Sequence, residues 1–314
     1  ADFLGVQTLG VGIVRSWTSF GEPNTAARLA LALILIAGAF LLAARLLRGK
    51  RGSQQTSTRW LTPRRTQLAP TLRFAATAIC TLILLVCFVA PVLRLVWLVM
   101  ATRASAPDIW PLIQSTVTLG FAGTIGAFVA ALVFTLATKR SEALRLGART
   151  VAAAGYAAPG VVLGLGALFI LKQTGQALSG TVAITFLLWI YISRFTSAGV
   201  EPLQSTLDRL PKNLDHASRS LGSRGLNQFF RVDLPLLAPG ALAASLILFV
   251  EILKELPATL MLRPFGWDTL AVRAHAYATD ERLAQATLPS LLIVLAGLGP
   301  VLLLSWRLSR TERN

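Results

Sequence analysis

LDHASRSLGSRGLNQFFRVDLPLLAPG (residues 214–240) is a polar, basic island between two apolar runs, each long enough to cross a bilayer. Leu207, Leu210, Leu214, Ala217 and Leu221 recur at three- and four-residue spacing, which places them on one helical face. Gly222 follows and reads as the helix end, because only glycine enters the left-handed region without steric cost. Leu226, Phe229, Phe230 and Val232 form a second short amphipathic piece, which Pro235 is expected to stop. The pattern predicts helix, glycine turn, helix, lying on a membrane face with an apolar side to bury.

The composition fits that setting. The chain has 314 residues, 54% hydrophobic and 14% charged, with a mean hydropathy of +0.64. Soluble domains carry about 25% charged residues, so the balance points to a membrane protein. The net charge of +16 could suit nucleic acid. Here, however, the basic residues cluster in short loops beside apolar runs and are not interleaved with aromatics, so topology explains them and no nucleic-acid partner is expected. Cys80 and Cys87 lie within an apolar run and read as small buried hydrophobes.

Working outward, Ala1–Thr25 is mixed, with Gly5, Gly10, Gly12, Gly21 and Pro23 breaking any periodicity. Arg28–Leu47 has the roughly 20 residues needed to span a hydrocarbon core of about 30 Å. A basic, Ser/Thr/Gln-rich linker follows. Further runs are Leu72–Met100, Ser115–Thr138, Val151–Leu171, Thr181–Gly199, Pro239–Leu262 and Ala286–Trp306. The expected fold is an all-α polytopic bundle of about seven transmembrane helices. Small residues four apart (Ala122, Gly126 and Ala130; Gly160 and Gly164) suggest close helix contacts. Pro159, Pro289 and Pro300 should kink or break their spans, and Pro257 should end the helix that begins near Pro239.

Basic residues orient the bundle. With Leu72 starting inside, Lys139, Arg140, Arg145 and Arg149, then Arg209, Lys212, Arg219, Arg224 and Arg231, then Arg307, Arg310 and Arg313 all fall in cytoplasmic segments. The opposite loops hold Arg103, Lys172 and the acid-diluted Arg263, Arg273 and Arg282. The loop 201–236 and the C-terminus are therefore expected in the cytoplasm.

In the loop, His216, Ala217 and Ser218, then Gly222, then Val232, Leu234 and Pro235 are spaced as in the Glu-Ala-Ala, glycine, Leu-Pro motif of permease subunits of bacterial binding-protein-dependent ABC importers, which the chain resembles. His216 departs from the acidic position, with Asp215 one place earlier, and Ser218 replaces the second alanine. The resemblance implies a type I permease in the inner membrane and a coupling helix, with Asp215, Arg219 and Arg224 alongside the motif. That helix would dock on a separate cytoplasmic ATP-binding subunit, present as a dimer. It also implies a periplasmic substrate-binding protein and alternating access. Lys254 to Leu260, Leu262 to Gly266 and Asp268 to Ala271 resemble the ferric-iron branch, so the implied cargo is iron(III). Thiamine, phosphonate or polyamine are the rival cargoes, and a channel or scaffold without ATP coupling is the rival class.

Under the resemblance, 1–27 reads as an extracytoplasmic segment and 28–47 as the last helix of an upstream unit. Residues 48–71 read as a cytoplasmic linker and 72–310 as a six-helix permease domain. The chain looks like the C-terminal part of a fused permease whose second unit lies in the same longer chain; the alternative is a single unit with an accessory first helix.

No phosphate-binding Gly-x-x-x-x-Gly-Lys-Ser/Thr loop is present, so ATP hydrolysis is expected in the partner and not here. His216 and His275 lack companions at ligand spacing, so no metal site and no cofactor are expected. Charges inside spans cost ~2.5–3.5 kcal/mol each on insertion scales and must pair, snorkel or line a wet path. Glu251, Lys254, Glu255 and Pro257 are the candidates for a translocation path or outer gate, with Glu251 facing both Lys254 and Glu255 on one helix. Arg94 and Arg194 are expected to snorkel or to face partner helices.

Overall fold

The computed structural model describes residues 8–48, 69–102, 109–138, 155–156, 158–175, 179–210, 218, 220, 222 and 225–311. The helices are α1 (Leu9–Thr18), α2 (Pro23–Arg48), α3 (Pro70–Leu84), α4 (Ala90–Thr102), α5 (Ile109–Thr138), α6 (Gly160–Gln173), α7 (Gly180–Leu207), α8 (Leu234–Leu253), α9 (Pro257–Leu262), α10 (Leu270–Thr279) and α11 (Leu283–Thr311). Among the described residues every regular element is helical, and six stretches are long and apolar enough to cross a membrane. The run expected as a further span yields α6, which has 14 residues. At 1.5 Å per residue that is about 21 Å, short of a hydrocarbon core of about 30 Å. Pro159 does not kink this helix. It sits extended at the N-cap (φ −61°, ψ 135°) and starts it.

Pro235, expected to stop a helix, is instead accommodated. Pro235 lies inside a continuous helical rod that runs from the turn Leu226–Gln228 through a π turn, Phe229–Asp233, into α8. The Leu234 amide donates to the Phe229 carbonyl, five residues back. This widened turn makes room for the Pro235 ring, which would otherwise strike the carbonyl four residues back. The helix therefore begins well before Pro239, which lies within it. The same device, Leu85–Val89, precedes Pro91 and joins α3 to α4. Pro289 and Pro300 likewise lie inside α11 without ending it.

The glycine-rich start of the chain is also more regular than its pattern suggests. Thr8 caps α1 by accepting from the Val11 amide, and α1 packs on α2 and α6. Trp17 meets Phe169 edge-on at 5.6 Å.

The core is the contact of α5, α7 and α8. Lipid supplies no hydrophobic drive for helix pairing, so close packing must hold the bundle. On α5, Gly120, Gly123, Thr124, Ala127, Ala131, Thr135 and Thr138 are buried, a stripe that includes neither Ala122 nor Ala130. Leu187, Ile190, Tyr191 and Phe195 of α7, with Leu248 and Ile252 of α8, fill the space those small residues leave. Gly126 still makes a contact, against the Ile192 side chain. By contrast, none of the span 70–101 is buried. Cys80 and Cys87, expected as buried hydrophobes, are exposed on it, as is Arg94, which stacks on Trp97 at 4.3 Å.

Candidate functional site

Most of the predicted docking loop lies outside the described residues: Asp215, His216, Ala217, Arg219 and Arg224 are there, as are Leu214 and Leu221. Leu207 does not join the predicted amphipathic helix, because α7 continues through Pro202 and ends on it. Ser218 and Ser220 are helical, and Ser218 is buried. Gly222 follows at φ +81°, the left-handed conformation its place after the helix requires. Gly225, at φ +59°, turns the chain into the rod that carries Val232, Leu234 and Pro235.

The loop leaves from a braced base. The Thr138 hydroxyl at the end of α5 lies 3.0 Å from Gln204 Oε1, and Gln204 Nε2 donates to Asp208 Oδ1 at 3.0 Å. Gln204 is buried, so it joins two helix ends where water competes little. The ends of α5 and α7 thus meet at one end of the bundle. Gly240 of α8 lies against Thr206 there, so the rod starts at the same end. This is the relative alternation expected from the basic loops.

Of the two helix-face pairings expected around Glu251, the structure shows one. Lys254 Nζ pairs with Glu251 Oε1 at 2.7 Å, as its spacing suggests. Glu255 does not share a helix face with Glu251, since α8 ends at Leu253 and residues 254–256 are not helical. Pro257 cannot donate to a carbonyl four residues back and restricts the residue before it, which ends the helix ahead of the proline. Glu255 instead turns inward. Its Oε2 accepts from Arg194 Nη1 at 2.7 Å, and its Oε1 accepts from the Ala258 amide at 3.1 Å, in the first turn of α9.

Arg194 therefore does not snorkel but, as the other expected alternative has it, faces neighbouring helices, meeting Glu255 between α8 and α9. It sits about 21 Å along α7 from Gly180 at 1.5 Å per residue, near the middle of a 28-residue helix. The side chains of the pair are 15% and 7% exposed, so each charge needs the other. One turn away, the Tyr191 hydroxyl lies 2.6 Å from Thr259 Oγ1, and Thr259 donates to the Glu255 carbonyl at 2.9 Å. Thr259 has one hydroxyl proton, already given, so Tyr191 is the donor to it. Gly160, the first residue of α6, completes the cluster. A Cβ there would lie 2.5 Å from Glu255 Oε1 and 2.7 Å from Arg194 Nη1. The sequence signal for Arg194 was its isolation as a cation within an apolar run; its partner is 61 residues away.

The stretch Leu262 to Ala271 forms the end of the bundle opposite Gly222. Asp268 pairs with Arg263 and, at 2.7 Å, with Arg273. Burial, and then the charge of Arg273, hold the Arg263 guanidinium below its ordinary pKa. The Leu270 amide donates to Thr116 Oγ1 at 2.8 Å, which ties this loop to the start of α5. Among the described residues no cluster of His, Cys, Asp and Glu suited to a metal ion occurs.

No protein-family model matches the chain. It is 28% identical over 149 residues to a protein named Fe(3+)-transport system permease protein FbpB 2 of Haemophilus influenzae, a match covering 48% of this chain and 29% of that relative. It is also 28% identical over 212 residues to a protein named as the 2-aminoethylphosphonate transport system permease PhnV of Salmonella typhimurium, covering 65% of this chain and 76% of the relative. Its fold matches a chain of a bacterial ABC transporter involved in the import of the acidic polysaccharide alginate, with a TM-score of 0.62 at 14% identity, over 76% of this chain and 96% of that one. A second alginate transporter structure, in complex with a pentasaccharide-bound periplasmic protein, gives 0.61 at 13%, over 74% and 92%. The chain is thus similar in sequence to these two transport-system permeases and in fold to chains of the two alginate ABC transporters.

Proposed function

We propose that this chain is a membrane-spanning subunit of an ATP-driven importer in a bacterial inner membrane. In this reading a separate pair of cytoplasmic ATP-binding subunits drives alternating access, and a periplasmic binding protein delivers the cargo. The observation that carries the reading is the left-handed Gly222, between helical Ser218 and Ser220 and the unbroken rod from Leu226 to Leu253. A short helix hinged there, on a base braced by Thr138, Gln204 and Asp208, can be pushed as a unit and pass the displacement to α7 and α8. Asp215, His216, Ala217, Ser218, Arg219 and Arg224 form the docking surface, and Val232, Leu234 and Pro235 start the lever. The basic residues of these loops support a cytoplasmic position for this end. Copurification of the chain with its ATPase, followed by ATP-dependent uptake into vesicles, tests the reading. A chain that conducts solute without any ATPase bound would instead be a channel.

Iron(III) is the proposed cargo. The reading rests on the Lys254 to Ala271 resemblance and on the Haemophilus relative named for Fe(3+) transport. Phosphonate is the second reading, because the Salmonella relative is as similar and aligns over more of the chain. Uptake of labelled iron and labelled aminoethylphosphonate, each with its own binding protein, separates the two. Glu251, Lys254, Glu255 and Pro257 lie along the proposed path, where Glu251 lines a cleft of ≈ 160 Å³ between α8 and α11. A second permease unit, in the same longer chain, would complete the pathway. The division 1–27, 28–47, 48–71 and 72–310 follows from that arrangement, with α2 closing the upstream unit.

A further inference from the structure

Between α8 and α9 lies a joint of non-helical residues, 254–256, close to the middle of the bundle. A proline-ended helix followed by a short helix is a loose joint unless something outside it fixes the angle. Here the fixing groups come from one face of α7. Arg194 grips the Glu255 carboxylate, and Tyr191, one turn away, grips Thr259, whose hydroxyl holds the Glu255 carbonyl. The second carboxylate oxygen of Glu255 holds the first turn of α9 through the Ala258 amide. Each of the three acceptor oxygens of Glu255 therefore holds a partner on α7 or α9. The third participant is α6, whose first residue has no space for a Cβ beside the ion pair. Met261 of α9 then packs on Gly164 of the same helix. The pair is bonded to α9 through the Ala258 amide and cannot approach α6 more closely without striking Gly160. Arg194 Nε is buried and unpartnered, so the guanidinium is held by fewer bonds than it can make.

We infer that Arg194 is a positioning residue of the permease: acting through Glu255, it fixes the angle at which α9 leaves α8 and so couples α6 and α9 to the motion of α7. This deepens the importer reading and rests on it for its transport consequence, while the angle itself can be measured without transport.

Folding and positioning can be separated by charge-neutral pairs. Arg194→Gln or Glu255→Gln alone leaves one buried charge unpaired, which lowers the amount of folded protein. The double variant removes both charges, so folded protein should return towards the wild-type level. The experiment uses the chain with its ATPase and binding protein in vesicles, with Cys80 and Cys87 replaced by alanine. Spin labels are placed on Phe265→Cys and Leu236→Cys, both exposed positions either side of the joint. In R194Q/E255Q the label-to-label distance distribution should broaden or shift, and uptake per folded transporter should stay at least tenfold down while ATP hydrolysis continues. Arg194→Lys, which keeps the charge, should narrow the distribution again and recover part of the uptake. An unchanged distance distribution in the double variant overturns the inference, whatever uptake does. So does full recovery of uptake with folding. If the unsubstituted transporter hydrolyses ATP but moves no cargo, the importer reading fails, and the label distances alone decide the role of Arg194.

Discussion

Gly240 of α8 rests directly on Thr206 of α7, with no room between them for a single methyl group. A Cβ at Gly240 would strike Thr206 Oγ1 and come within 2.8 Å of the Pro202 carbonyl, to which Thr206 is itself bonded at 3.0 Å. The segment leading into the Gly222 loop and the rod leading out of it are thus clamped at one crossing. A push on the loop is delivered to both helices at once.

Gly240→Val should force that crossing apart. Overpacking of this kind costs about 1–3 kcal/mol, and the backbone shift should disturb the crossing that carries the loop. The expected result is protein that still inserts but has uptake at least tenfold lower, measured against the amount in the membrane. Uptake at the original level would show the crossing to be tolerant.

At Gly222 the prediction is a ranking. Among the described residues a Cβ there meets nothing within 4 Å, and the positive φ resists substitution. Asparagine tolerates that region, alanine costs about 1–2 kcal/mol there, and a β-branched residue fares worst. The ratio of cargo moved to ATP hydrolysed should fall in the order Gly, Asn, Ala, Val. A flat series would remove the hinge from the account.

Tyr191→Phe deletes one hydrogen bond while leaving the Thr259 bond to Glu255 in place. The two sites lie in the core, where such bonds contribute about 0.6 kcal/mol on average in membrane proteins. A small fall in Tm is expected, with uptake reduced less than in the Arg194 variants. A collapse as deep as that of Arg194→Gln would assign the joint to the tyrosine instead.

Asp268→Asn leaves Arg263 and Arg273 facing each other without their shared carboxylate. Both arginines are about a third exposed, so the loss should be about 1–2 kcal/mol, below the cost of breaking a fully buried pair. Thermal unfolding in detergent should show it, and raised salt should shrink the difference between variant and parent.

The apolar runs were readable because burial in lipid needs only length and composition. Gly222 was readable too, since a glycine after a periodic helical face has one common use. Pro235 was misread: a proline signals a helix stop only when nothing makes room for its ring, and here the preceding π turn does so. Glu255 was misplaced for a related reason. Its spacing from Glu251 implies a shared face only if the helix continues, and Pro257 prevents that.

The sequence by itself determined that this chain crosses a membrane repeatedly and carries a glycine-hinged polar loop between two crossings. Hydropathy and local backbone preference act over a few residues, and both are written in the order of the chain. Only the tertiary structure decided that Arg194 meets Glu255, that Gly160 lies against that pair, and that Gly240 lies against Thr206 and the Pro202 carbonyl. Those relationships join segments far apart in sequence, and which small residue faces which neighbour is set by the packing of whole helices.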